Sequence, residues 1–273
     1  MRFIVFIVTF VFALVPLVAQ AQDTTHLKTL LTGNDNKGWE AVGRLNIAGS
    51  AFCTGALIAP DLVLTAAHCL YDQRTGRQFA AQEIEFLAGW RNGSANAYAN
   101  VGRAIAHPNF EYQGHDRVVR VAYDVALLQL DRPIRKSTIH AFETDVRPRK
   151  GDAVGVVSYA RERADSPSLQ EVCYVLARRS GTLVLSCEVD FGSSGAPVFS
   201  FDDDGTARIV SIVSAKADIN GHNVALGTSL EEPLADLMAL MAEPVPLATQ
   251  TPQVRVMSTN NGVLKSGAKF VRP

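Results

Sequence analysis

The stretch Cys53-Thr-Gly-Ala-Leu-Ile-Ala-Pro-Asp-Leu-Val-Leu-Thr-Ala-Ala-His68-Cys69 holds two short aliphatic runs separated by Pro60-Asp61 and ends in a histidine. Proline presets the φ of a turn and aspartate bonds to its own backbone, so the stretch reads as two antiparallel strands joined by a turn. The second strand delivers His68 at its terminus. A lone histidine is more often structural than catalytic, but catalytic groups need rigid support, and a cysteine at each end of this stretch offers a covalent clamp.

Four cysteines, Cys53, Cys69, Cys173 and Cys187, form two sequence-local pairs. In an oxidising compartment disulfides are the default, with Cys53–Cys69 and Cys173–Cys187 favoured over the two other pairings open to four cysteines. Each short loop closed in this way contributes on the order of 3 kcal/mol by restricting the unfolded chain. Zinc is the alternative. It is disfavoured because no C-x-x-C knuckle is present and the neighbours His68 and Cys69 cannot easily aim two ligands at one ion, so no metal and no cofactor is expected.

The N-terminus points to that compartment. Arg2 precedes an apolar run from Phe3 to Val18 and then Ala19-Gln20-Ala21, a small-x-small cleavage pattern. The run falls short of the about 20 apolar residues that span a bilayer. Residues 1–21 therefore read as a signal peptide cut after Ala21, and no later segment is apolar enough to span. The mature chain is expected to be a secreted or periplasmic monomer that has no membrane contact after cleavage. With 47% hydrophobic residues it can bury a core, and a net charge of −1 provides no field to recruit nucleic acid.

Gly-, Asn- and Asp-rich punctuation at 33–38, 91–96 and 202–205 separates aliphatic runs, the pattern of an all-β protein of antiparallel strands. Strands are predicted at 41–47, 54–58, 62–65, 84–88, 125–130, 153–158, 171–177, 183–187, 197–201 and 207–213, the last two joined by a hairpin at Asp202-Asp203-Asp204-Gly205. One helix is marked by a capping box, Ser229-x-x-Glu232, by Pro233, and by Leu234, Leu237, Met238 and Met241 on one face. Residues 22–38 read as an N-terminal segment or propeptide, 39–243 as the folded domain, and 244–273, rich in polar residues and poor in aliphatics, as a flexible extension.

Two further segments carry chemistry. Gly192-Ser193-Ser194-Gly195-Ala196-Pro197 is a glycine-flanked turn entering a strand. Such a turn can expose the Ser194 hydroxyl and aim the N–H groups of Gly192 and Ser194 at one point, a main-chain oxyanion hole. Ser- and Gly-rich turns are usually only turns, so this motif is weak alone. Tyr123-Asp124-Val125-Ala126-Leu127-Leu128-Gln129-Leu130 puts a carboxylate at the mouth of an apolar strand, and a buried acid requires a partner. Together these provide what serine-mediated acyl transfer needs: a nucleophile, a base and an anion to orient the base.

In this order the segments T-A-A-H-C, D-V-A-L-L-x-L and G-S-S-G-A-P resemble the chymotrypsin-like (trypsin-fold) serine proteases, and His107-Pro108-Asn109-Phe110 resembles a further segment of that family. The resemblance implies two packed six-stranded β-barrels with a C-terminal helix, His68 and Asp124 from the first barrel and Ser194 from the second. It implies a polypeptide substrate, His68 as general base, Asp124 as its orienting group, and Val213-Ser214-Ala215-Lys216 as a strand against which substrate pairs.

Ser193 stands where animal trypsins carry an aspartate that receives the new N-terminus, no R-[IV]-V-G-G precedes Trp39, and no cysteine lies four residues before Ser194. These departures resemble the bacterial glutamyl-endopeptidase-like branch. Counting back six from Ser194 gives Glu188, with Asp190 close by, as primary-pocket acids that would favour basic side chains, while Lys216 would cancel that charge. The alternative to an endopeptidase is a catalytically silent protein-binding module that keeps the barrels.

Overall fold

Residues 24–145 and 148–244 are described by the structure, a computed structural model. The signal peptide and nearly all of the C-terminal extension lie outside the described residues. After a two-residue strand, β1 (Lys28–Thr29), come β2 (Val42–Ile47), β3 (Ala51–Ala59), β4 (Leu62–Thr65), β5 (Ile84–Ala88) and β6 (Ala97–Ala106). A short helix, α1 (Arg117–Ala122), leads into β7 (Ala126–Leu130). Strands β2-β3-β4-β7-β6-β5 close into an antiparallel barrel in that order. Alternation sets which residues fill it: along β2, Leu45 and Ile47 are buried while Arg44 and Asn46 are only half covered.

The second half contributes β8 (Ala153–Ala160), β9 (Arg163–Arg179), β10 (Thr182–Leu185), β11 (Pro197–Phe201), β12 (Ala207–Ile219), β13 (His222–Ser229) and a helix, α2 (Pro233–Ala242). The sheet runs β1-β9-β10-β13-β12-β11-β8, and β8 pairs back onto β9, so six of these strands close a second barrel. Its core is aliphatic, with Val154, Val156, Val175, Leu185, Val198 and Val213 around the disulfide sulfurs of Cys173 and Cys187. The second disulfide joins Cys53 and Cys69. Both pairings are those favoured from the sequence.

An aromatic cluster and one hydroxyl lock the barrels together. Phe199 of β11 packs edge-on against Trp39 at 5.1 Å and Phe142 at 4.8 Å between ring centres. Thr54 of β3 is fully buried. Its hydroxyl donates to the carbonyl of Gly192 at 2.9 Å and accepts from the N–H of Tyr159 at 3.1 Å, both in the second barrel. Its own N–H donates to the carbonyl of Ser194, and its carbonyl accepts from Thr65. The helix α2 follows the second barrel but packs on the first, burying Leu234 and Leu237, and Arg103 of β6 donates to the last-turn carbonyls of Leu240 and Met241.

Several expectations need correcting. Strands β6 and β13 and helix α1 were not predicted; β6 holds four alanines and only Val101 and Ile105 as β-branched residues, so its strand signal is weak. Strand β9 starts at Arg163 rather than 171, because its polar first half pairs with both β8 and β1. Through β1 and the buried Leu30, the segment before Trp39 is part of the second sheet. Ser229 does not cap α2. Its N–H pairs with Gly181 as the last residue of β13, and the helix opens at Pro233.

Replacing Thr54 with valine keeps the shape but strands two buried polar groups, the Gly192 carbonyl and the Tyr159 N–H. Thr54→Val is expected to lower the urea unfolding free energy by about 1–3 kcal/mol; a change below about 0.5 kcal/mol would show that the hydroxyl does not hold the junction.

Candidate active site

His68 sits in a single 3-10 turn, Ala67–Leu70, directly after β4, and the disulfide from Cys69 to Cys53 ties that turn back to β3. Asp124 lies between α1 and β7. The N-terminus of α1 is capped by the Asp116 carboxylate, which accepts from the N–H groups of Val118 and Val119 at 2.8 and 3.2 Å. At its other end Thr228 of β13 donates to the carbonyls of Val121 at 2.7 Å and Asp124 at 3.3 Å. A residue of the second barrel thus fixes the backbone of an acid that belongs to the first.

The Asp124 side chain is 5% exposed and accepts three hydrogen bonds. Oδ2 lies 2.7 Å from His68 Nδ1 and accepts from the Ser214 hydroxyl at 2.5 Å, while Oδ1 accepts from the His68 backbone N–H at 2.8 Å. A carboxylate so satisfied stays an acceptor, which puts the imidazole proton on Nδ1 and leaves the Nε2 lone pair free to take a proton. Burial pulls the His68 pKa down and Arg120 adds to that pull, but the charge and hydrogen bond of Asp124 outweigh both, so the net shift is upward.

Ser194 occupies the tight turn expected of it. Gly192 has φ +99° and Gly195 φ +75°, in the left-handed region. A Cβ on Gly192 would come 2.3 Å from the Phe52 ring, and one on Gly195 2.1 Å from Thr65 Oγ1, so neither position admits a side chain. The flanking N–H groups are used: Ser193 to Asp190, Gly195 to Val213 and Ala196 to Ser193. Among the described residues the N–H groups of Gly192 and Ser194 have no hydrogen-bond partner. The Ser194 hydroxyl shares a cleft of about 630 Å³ with His68 and Asp124, although no hydrogen bond among the described residues joins it to His68.

The other sequence-predicted residues divide. Asp190, Ser214, Ala215 and Lys216 line this cleft; Glu188 does not, and faces an adjoining pocket with Arg163, Asp190 and Lys216. The count of six was therefore out of register with the cleft. Ser214 is more than a substrate strand position, since it holds Asp124. Three residues went unforeseen: Arg120 lines the cleft beside His68, Phe191 stands 67% exposed at its lip, and Arg163 lines the adjoining pocket with Asp190 and Glu188. Cys53, His68 and Cys69 have ligand-type atoms close together, but both sulfurs are spent in the disulfide and supply no thiolate.

The chain is similar to known proteins. The chain is 31% identical to a trypsin of Sarcophaga bullata over 93 residues, which is 34% of this chain and 32% of that protein. It is 28% identical to serine protease 23 of Mus musculus over 168 residues, 55% of this chain and 43% of that one. It thus spans less than half the length of either relative. Among solved structures, a Glu endopeptidase in complex with MPD superposes with a TM-score of 0.66 at 17% identity, covering 81% of this chain and 98% of that one, and so shares the fold. The trypsin family model matches residues 33–225, a span that takes in His68, Asp124 and Ser194, and the chain accordingly belongs to the trypsin family of chymotrypsin-like serine proteases.

Proposed function

We propose that this chain is a secreted serine endopeptidase, acting as a monomer, that cleaves polypeptides through an acyl-enzyme on Ser194. The observation that carries the reading is the Asp124–His68 pair at 2.7 Å, facing the same cleft as a serine whose own N–H and that of Gly192 have no partner among the described residues. His68 Nε2 takes the Ser194 proton as Oγ attacks the scissile carbonyl, the two N–H groups receive the oxyanion, and His68⁺ returns the proton to the leaving amine. Asp124 stabilises the imidazolium without accepting its proton. Two disulfides fit an oxidising compartment, and among the described residues no helix is long and apolar enough to cross a membrane.

The charges of the cleft favour an acidic over a basic substrate side chain. Asp190 shares an adjoining pocket with Arg163, whose charge offsets its own, and Lys216 and Arg120 add two further positive charges to the cleft. A second reading, the silent binding module, rests on one observation, the missing hydrogen bond between Ser194 and His68. Catalytic hydrogen bonds often close only when substrate binds, so labelling is the test that separates the two.

A serine-directed phosphonate is expected to modify Ser194 in the wild type and to leave His68→Ala unmodified, by intact-mass measurement; a folded wild type that neither reacts nor cleaves casein would instead establish the module. The base must be neutral, so kcat/KM is expected to drop as pH falls through an apparent pKa above the ordinary histidine value of about 6.5. Asp124→Asn removes the charge that raises this pKa and is expected to move the midpoint down; a profile flat from pH 5 to 8 excludes a histidine base. In peptide-library profiling Lys216→Glu is expected to shift kcat/KM from acidic towards basic side chains by about two- to fivefold, the scale of an exposed charge pair.

A further inference from the structure

The turn that carries Ser194 has little apolar anchoring. Phe191 projects into solvent, and two glycines hold conformations that cost backbone entropy. Its order must come from polar contacts, and these converge on the residue before the nucleophile. Ser193 is fully buried. Its hydroxyl lies 3.2 Å from the Tyr159 carbonyl, 3.3 Å from the Asp190 N–H, 3.4 Å from Ser158 Oγ and 3.3 Å from Arg163 Nη2.

Arg163 is the charged member of this network. It opens β9, opposite Ala160 of β8. One guanidinium nitrogen donates to the Ser158 carbonyl at 2.5 Å, and the other reaches the Ser158 hydroxyl at 3.0 Å besides Ser193. The cation lines one pocket with Asp190 and Glu188, whose negative charges favour it and which both belong to the segment leading into the turn. A planar fork with several fixed donors can bridge β8 and the turn at once; an ammonium on a flexible stem is one point charge and cannot.

Resting on the protease reading above, we propose that Arg163 is the positioning residue of the nucleophile turn: through Ser193 and Asp190 it holds residues 190–195 in the form in which the N–H groups of Gly192 and Ser194 converge on one point. The cation comes from within the folded chain, at the first residue of β9. Arg163 makes no contact with the reacting atoms and acts only through the turn. Its loss removes stabilisation of the transition state and spares ground-state binding of the peptide.

The test compares wild type, Arg163→Met, Arg163→Lys and Ser193→Ala in the full mature chain, reading kcat, KM, the phosphonate inactivation rate and the thermal midpoint. Arg163→Met is expected to lose about 100-fold in kcat and in inactivation rate, the scale of a lost oxyanion donor, with KM changed less than about threefold and the protein folded at the assay temperature. Arg163→Lys is expected to recover part of that loss. Ser193→Ala cuts the link while leaving Arg163 bound to Ser158, and it keeps the proposal testable if Arg163→Met does not fold; it is expected to lose kcat in the same selective way. Wild-type kcat in Ser193→Ala or Arg163→Met, or a loss confined to KM, overturns the proposal. A wild type that is itself unreactive overturns the protease reading instead.

Discussion

Thr54 is the point at which two separately closed barrels become one chemical object. Its side chain and backbone make four hydrogen bonds, three of them to Gly192, Ser194 and Tyr159 of the second barrel. It lies one residue from Cys53, whose disulfide to Cys69 fixes the turn that holds His68. Ser194 and His68 are therefore registered against each other through a few covalent and hydrogen bonds around one buried threonine. A barrel interior gives each side chain a fixed rotamer, but only contacts across the seam can relate one barrel to the other.

The second barrel reciprocates. Thr228 holds the backbone of Asp124, and Ser214 holds its carboxylate, so the acid of the first barrel is oriented by residues of the second. Each half thus supplies the support for the other half's chemistry. This arrangement also explains the uneven burial of the site: Asp124 is covered on all sides, whereas the His68 side chain remains 21% exposed at the edge where a substrate would arrive.

The residues legible in the sequence were those whose signals are local. The cysteine pairs lie close together along the chain, and His68, Asp124 and Ser194 stand at ends of aliphatic runs, but their roles were read only from the ordered resemblance of the three segments to the chymotrypsin-like serine proteases. Thr54 was in plain view as a strand residue, but its partners are more than 100 positions away and leave no mark on its neighbours. Arg163 was hidden differently. It sits in Ala160-Arg161-Glu162-Arg163-Ala164-Asp165, a charged run that looks like a solvated turn, and nothing local separates the half-buried Arg163 from the exposed Arg161. The capping signal at Ser229 failed because a sheet ladder claimed that residue first, a case of tertiary pairing overriding a local preference.

The docking of α2 has a bearing on how the molecule comes into being. Arg103 donates to the carbonyls of Leu240 and Met241, 137 and 138 positions downstream. During synthesis from the N-terminus the first barrel must wait, its flank uncovered, until the second barrel has been made and α2 swings back over it. Contacts this distant along the chain are slow to find, so a partly made molecule holds His68 and Asp124 but neither Ser194 nor the Ser214 and Thr228 that orient Asp124, and the three side chains come to share one cleft only after the second barrel has been made.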